Sequence, residues 1–329
     1  MSAIWQAPYL FYFIGILTFF IFFYFLLILP VHYGISHWIL PFHNILAPLQ
    51  ENYRTGLKTG DVESAAFSIH SYLLAALTTG KPLGSVEADM RKFGEQMKDH
   101  KQILSYKPLM ASLQYVLNLM GRAENPRLLS GEVWPGDGAD DTQHLDMKTL
   151  TRQCWLLHYF GDYEKAWDFA MKTPDLKKVV LGAYIIWRHA FHVGLVAYAM
   201  AKKTGKSTWK KRASMYHKQI RKWYNAGNVN CHHMLKLFDA ERAVANGKKH
   251  DDCKKAYDEA IATSGRYGLR HDSALANQLA GEYFLHRHDP DEYWASHYLR
   301  QAIRLYEEWE AKALVDYLNE KYVDLLTKE

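Results

Sequence analysis

The chain has 329 residues, 49% of them hydrophobic and 23% charged, with ten prolines, three cysteines and a net charge of +5. That composition excludes a disordered or collagen-like chain. Cys154, Cys231 and Cys253 form no CxxC pair, so a disulfide framework or zinc module is excluded too, and buried thiols in a reducing compartment are the plain reading.

Residues 9–29 form an uninterrupted apolar run of 21 residues between Pro8 and Pro30, with seven phenylalanines from Phe11 to Phe25. At about 1.5 Å per residue such a helix reaches about 30 Å, the thickness of a bilayer's hydrocarbon core. Trp5 and Tyr33 flank the run, where interfacial aromatics sit. No basic region precedes it, and it exceeds the about 7–15 residues of a signal-peptide core. The expectation for residues 1–32 is therefore a single-pass membrane anchor. The reduced cysteines and basic body place the rest of the chain on the cytoplasmic side. A helix buried all round at the start of a helical array, or a misassigned start of the chain, would also account for the run.

From residue 33 the pattern is helical. Residues 37–55 put Trp38, Phe42, Ile45, Leu46 and Leu49 on one side, with Pro41 and Pro48 as breaks. Gly60 ends that helix and Asp61 caps the next, which runs to about residue 79 with Ala65, Ile69, Leu73 and Leu77 inward. Gly80, Lys81 and Pro82 turn the chain into a helix over 85–102, and another follows over 104–120, interrupted near Pro108. Residues 33–124 thus read as a first helical sub-bundle. Residues 125–143 are irregular; Asp137, Asp140 and Asp141 lack calcium-loop spacing, so a surface loop is expected.

Residues 144–329 resume the hairpin format with helices over 145–160 and from Tyr163 through Ala166 and Ala170. Residues 176–201 are apolar, but Lys177, Lys178, Arg188, His189 and His192 argue for a core helix rather than a bilayer span. Beyond residue 240 one helical phrase occurs twice. Ala240–Glu241–Arg242–Ala243 leads through Asn246–Gly247 to Tyr257 and Ala260. Leu279–Ala280–Gly281–Glu282–Tyr283–Phe284 leads through His288–Asp289 to Tyr298 and Ala302. Small alanines let helices approach and aromatics fill the remaining space, as in tetratricopeptide hairpins; the copies are out of strict register, so the repeat is degenerate. The predicted fold is all-α, a degenerate tetratricopeptide-like solenoid with Ala243, Ala260, Ala280 and Ala302 at close helix crossings.

Few motifs point to chemistry. Thr204–Gly205–Lys206–Ser207 looks like the end of a phosphate-binding loop, but Met200 stands where the first glycine belongs and a helix precedes it. A helix-ending Gly205 with Ser207 capping the next helix explains it better. The 17 histidines include the pairs His189/His192, His232/His233 and His286/His288, without zinc-ligand spacing. No catalytic residue, cofactor or metal site is assigned, and the chain is expected not to be an enzyme.

Charge distribution is more informative. Between Asp175 and Asp239 there are thirteen Lys and Arg and no acidic residue. Nine of the thirteen crowd together: Lys202, Lys203, Lys206, Lys210, Lys211, Arg212, Lys218, Arg221 and Lys222, interleaved with Trp209, Tyr216, Trp223 and Tyr224. They are the candidate face for an anionic partner, either an acidic lipid surface or an acidic peptide, with nucleic acid disfavoured. A solvated helix surface whose aromatics face the core is the plain alternative.

The chain also resembles a known family. Tyr53–Arg54–Thr55–Gly56–Leu57–Lys58–Thr59–Gly60–Asp61, then Pro82–Leu83 with Val86–Glu87, Leu128–Leu129–Ser130–Gly131–Glu132 and Tyr159–Phe160–Gly161–Asp162–Tyr163 carry the likeness. So do Asn230 with His233, Leu237, Ala240 and Glu241, then Ala274–Leu275–Ala276–Asn277, and finally Trp309–Glu310–Ala311–Lys312–Ala313. In that order they are similar to the tetratricopeptide-like region that follows the ATPase module of large serine/threonine-kinase–ATPase–sensor-histidine-kinase hybrid proteins. The family usually has glycine where Glu310 stands, and the kinase, ATPase and histidine-kinase modules are missing. The resemblance implies a scaffold for another signalling protein, or else a regulatory repeat fragment or subunit of such a kinase.

Overall fold

The computed structural model describes residues 34–136, 146–180 and 182–327. The apolar run at 9–29, expected as a membrane anchor, lies outside the described residues, as does part of the irregular stretch. Among the described residues every regular element is helical, and no helix is long and apolar enough to cross a membrane.

Two short 3₁₀ turns, Ser36–Trp38 and Phe42–Ile45, lead into α1 (Leu46–Thr59). Pro41 separates the turns, and Pro48 is accommodated in the first turn of α1, where its missing N–H costs nothing. Asp61 caps α2 (Val62–Thr78) by accepting from the Ser64 N–H at 3.1 Å. Then come α3 (Leu83–Asp99) and α4 (Ile103–Leu119). After the irregular stretch follow α5 (Met147–Tyr159), α6 (Tyr163–Lys172) and the single turn α7 (Leu176–Val179). The remaining helices are α8 (Ile185–Thr204), α9 (Ser207–Asn225), α10 (His232–Ala245) and α11 (His250–Arg266). The chain finishes with α12 (Arg270–His286), α13 (Glu292–Glu308), α14 (Lys312–Lys321) and a last turn, α15 (Val323–Leu326).

Successive helices pair as α1–α2, α3–α4, α5–α6, α8–α9, α10–α11 and α12–α13. The sequence divides the two members of most pairs by pattern. On α3 the buried residues Leu83, Val86, Met90, Gly94 and Met97 make one stripe at helical spacing, so this helix lies outside. On α2, α4, α5, α8 and α12 most side chains are buried, all round the helix, so these form an inner layer. Ala260, Ala280 and Ala302 are fully buried at crossings as expected. Ala243, expected at such a crossing, is only half-buried.

The expected core helix over 176–201 is split. Gly182, at φ 72°, crosses the start of the described chain so closely that a Cβ there would stand 2.5 Å from the Gly34 carbonyl oxygen. Glycine is the residue that permits both that backbone and that approach.

The first hairpins also meet the last. The Leu83 N–H donates to the Trp309 carbonyl at 3.0 Å, and Arg127 stacks over Phe160 and Tyr317 at 5.8 and 5.5 Å. The early helices are therefore in direct contact with the last ones. The irregular stretch is tied down by Asn118, whose amide donates to the carbonyls of Pro126 and Leu128 at 3.2 and 2.6 Å.

Candidate functional site

The candidate residues lie on the end of α8, the turn after it and α9. The α8 helix ends in a left-handed Gly205 (φ 67°) whose N–H returns to the Ala201 carbonyl. Lys206 then occupies the N-cap of α9 in extended backbone; Ser207 is the first helical residue rather than the cap. The Thr204–Gly205–Lys206–Ser207 stretch is thus a helix–turn–helix junction, not a strand leading into a phosphate loop.

The structure divides the nine basic residues into three groups. Lys202 pairs with the buried Glu241 at 2.9 Å, Lys203 with Glu164 at 2.5 Å, and Arg221 with Asp239 at 2.9 Å. Arg212 lies between the indoles of Trp167 and Trp209, 4.7 and 4.5 Å from the ring centres. Lys206, Lys210, Lys211, Lys218 and Lys222 are exposed and have no ion partner among the described residues. The last four share one groove along α9 with the exposed Met215.

Lys210 stands on the boundary of a second, deeper feature. A cleft of about 670 Å³ opens between α6, α8, α10 and α12 and reaches α14. Five cations line it, Lys202, Lys203, Lys210, Arg287 and Lys321, beside Tyr163 and Tyr283, and Glu282 is the one lining carboxylate. Two carboxylates anchor its walls. Glu241 accepts from the Tyr257 hydroxyl at 2.7 Å while pairing with Lys202. Glu282 accepts from Lys321 at 3.2 Å and from the Tyr322 hydroxyl at 2.9 Å. Burial alone would raise the Glu282 carboxyl, but Lys321 and Lys202 outweigh it and hold it below its ordinary range. Its charge is thus fixed, and of the five cations Lys202, Lys203 and Lys321 are paired with carboxylates while Lys210 and Arg287 have no ion partner among the described residues.

A buried polar centre was not singled out from sequence. Asp272 on α12 receives Arg188 from α8 at 2.6 Å and His233 from α10 at 2.9 Å. Behind it, His192 on α8 and His158 on α5 meet through their Nδ1 atoms at 3.1 Å, and the Trp155 indole donates to His189 at 3.2 Å. The sequence signal was Arg188, His189 and His192 inside an apolar run; their partners lie 84 and 34 residues away and have no local signature. Among the described residues, no group of three or more His, Cys, Asp or Glu side chains is arranged to hold a metal ion. The three thiols are buried, and burial pushes each of them up, away from the reactive thiolate.

No protein-family model matches the chain, and no curated protein matches it.

Proposed function

We propose that the chain is a non-catalytic, tetratricopeptide-like scaffold of a signalling system, tethered to a membrane by residues 9–29, that binds an acidic segment of a partner protein. The observation that carries this reading is the cleft, lined by five cations and two tyrosines, where Glu241, Glu164 and Glu282 pair with Lys202, Lys203 and Lys321 and leave Lys210 and Arg287 without a counter-charge among the described residues. A cation-rich, partly aromatic cleft with fixed walls favours an anionic peptide, because rim charges steer encounter and aromatic faces supply desolvated contact. The paired helices and the buried Ala260, Ala280 and Ala302 support the repeat reading. The order of family-like motifs supports the signalling context. Selection of a random peptide-display library on the full chain tests the proposal. Enrichment of Glu- and Asp-rich peptides, lost on Lys210→Glu with Arg287→Glu, is expected; enrichment of neutral peptides, or of none, would contradict it.

A further inference from the structure

The described chain begins at one end of the lysine stripe on α9. The Trp38 indole stands edge-on to Trp223 of α9, ring centres 5.7 Å apart, and donates to the Gly182 carbonyl at 2.7 Å. Lys177 of α7 lies over the same Trp223 ring at 5.7 Å and donates to Gln219 at 3.1 Å. Asn230 fastens the opening segment from behind, donating to the carbonyls of His37 and Leu40 and accepting from the Phe42 N–H. The start of the body, α7 and the Lys218–Lys222 end of α9 therefore make one continuous surface.

Two features of this surface are unfavourable against water alone. Ile35 and Ile39 are 55% and 60% exposed, with Leu40, Val179 and Met215 also exposed. In addition, α9 carries six Lys and Arg and no acidic residue. Lys206 at the N-cap and Lys210 and Lys211 in the first turns oppose the helix dipole, and Lys218 repels Lys222 one turn on. An anionic, partly apolar plane relieves both: exposed aliphatic side chains enter the interfacial layer, and lysine stems lie along it with their ammonium groups at the headgroups.

We propose that this surface is the face on which the body lies against an anionic lipid leaflet, with the apolar run at 9–29 entering the bilayer beside it. The proposal rests on the tether in the reading above and adds to it an orientation and a lipid class. A wholly polar polyanion would satisfy the lysines but leave Ile35, Ile39 and Leu40 uncovered. The 33 preceding residues of the chain, most of them apolar, join the body at that very patch.

The test takes the full chain with Met215→Cys carrying an environment-sensitive fluorophore; the native cysteines are buried and do not compete for it. The protein is mixed from detergent with vesicles of phosphatidylcholine alone or with phosphatidylserine. Flotation reports attachment, and an aqueous quencher reports whether residue 215 is covered. The chain is expected to float with both vesicles, with residue 215 shielded only where phosphatidylserine is present. Raising salt from about 0.15 M to about 1 M should remove the shielding. Lys211→Glu, Lys218→Glu and Lys222→Glu together should weaken the shielded state on the order of 100-fold at a fixed phosphatidylserine content. A label at the exposed Tyr293 on α13 should stay accessible throughout. Flotation with both vesicles but equal quenching at residue 215 would overturn the proposal and leave the tether standing. Flotation and shielding with phosphatidylserine alone would support the face and remove the tether. Flotation with neither would overturn both, and shielding by polyglutamate but not by vesicles would assign the surface to an acidic protein instead.

Discussion

Arg188 and Asp272 meet at 2.6 Å in the centre of the protein, their side chains 5% and 2% exposed, and this one pair joins α8 to α12. Burial works against both charges, yet each holds the other: the Asp272 carboxyl lies well below its ordinary range, chiefly through Arg188, and Arg188 is raised in turn. Removing Arg188 leaves the buried Asp272 with only the His233 hydrogen bond, and removing the Asp272 charge leaves Arg188 buried without its counter-charge. Arg188→Met or Asp272→Asn should each cost about 3–5 kcal/mol, and the double variant less than their sum. Urea midpoints across the double-mutant cycle measure this; single variants within about 1 kcal/mol of the parent would refute the lock.

Stability should fall in mild acid. Burial holds His70, His158 and His271 down to about 3 and His189 to about 4, against 6.5 in an open chain. Between those values the unfolded chain binds more protons than the folded one, so stability is complete above about pH 6.5 and declines as pH falls. Each such histidine contributes up to about 1.4 kcal/mol per pH unit. Asp272 and Glu282, held below 3.8 and 4.5, add to the loss only at still lower pH. A urea midpoint unchanged between pH 7.5 and 5.5 would contradict this.

Close crossings give opposite signs to two glycine substitutions. A Cβ at Gly194 on α8 would strike the Phe238 ring and stand 2.9 Å from the Tyr216 Cβ, so Gly194→Ala should destabilise by about 1–3 kcal/mol. Gly265, in the last turn of α11, has open space, and Gly265→Ala should stabilise by about 0.5–1 kcal/mol. Thermal melting of the two variants distinguishes them, and shifts of the same sign would be the wrong result.

Glu310 keeps the backbone of a glycine. It lies at φ 66° just beyond α13, and its carboxylate accepts from the Gly84 N–H at 2.5 Å in the first turn of α3. The side chain offsets the strain of its own backbone by capping another helix. Glu310→Ala loses the cap and keeps the strain, whereas Glu310→Gly loses both. Alanine should therefore destabilise by about 1 kcal/mol more than glycine in urea unfolding; equal effects would mean that the left-handed backbone at residue 310 carries no strain.

Local patterns were readable where local physics decides. The Asp61 cap, the α3 stripe and the Gly205 helix end all follow from residues within a few positions of one another. The break at Gly182 was not readable, because it depends on Gly34 crossing from 148 positions earlier in the chain. The basic segment was visible as an absence of acids. Which lysines remain unpaired was not, since Glu164 arrives from 39 residues before Lys203, and Asp239 and Glu241 lie just past the acid-free stretch. Nor could the cleft be anticipated, because Glu282 and Lys321 meet across 39 residues of intervening chain.

The most direct measurement is the fluorescence anisotropy of a labelled peptide of alternating glutamate and leucine titrated with the full chain. The account predicts saturable binding, weakened roughly tenfold by each of Lys203→Glu, Lys210→Glu and Arg287→Glu, and weakened further by salt, while Lys218→Glu leaves it unchanged. Binding that ignores the cleft variants, or that a glutamine–leucine peptide matches, would contradict the assignment of the cleft to an acidic partner.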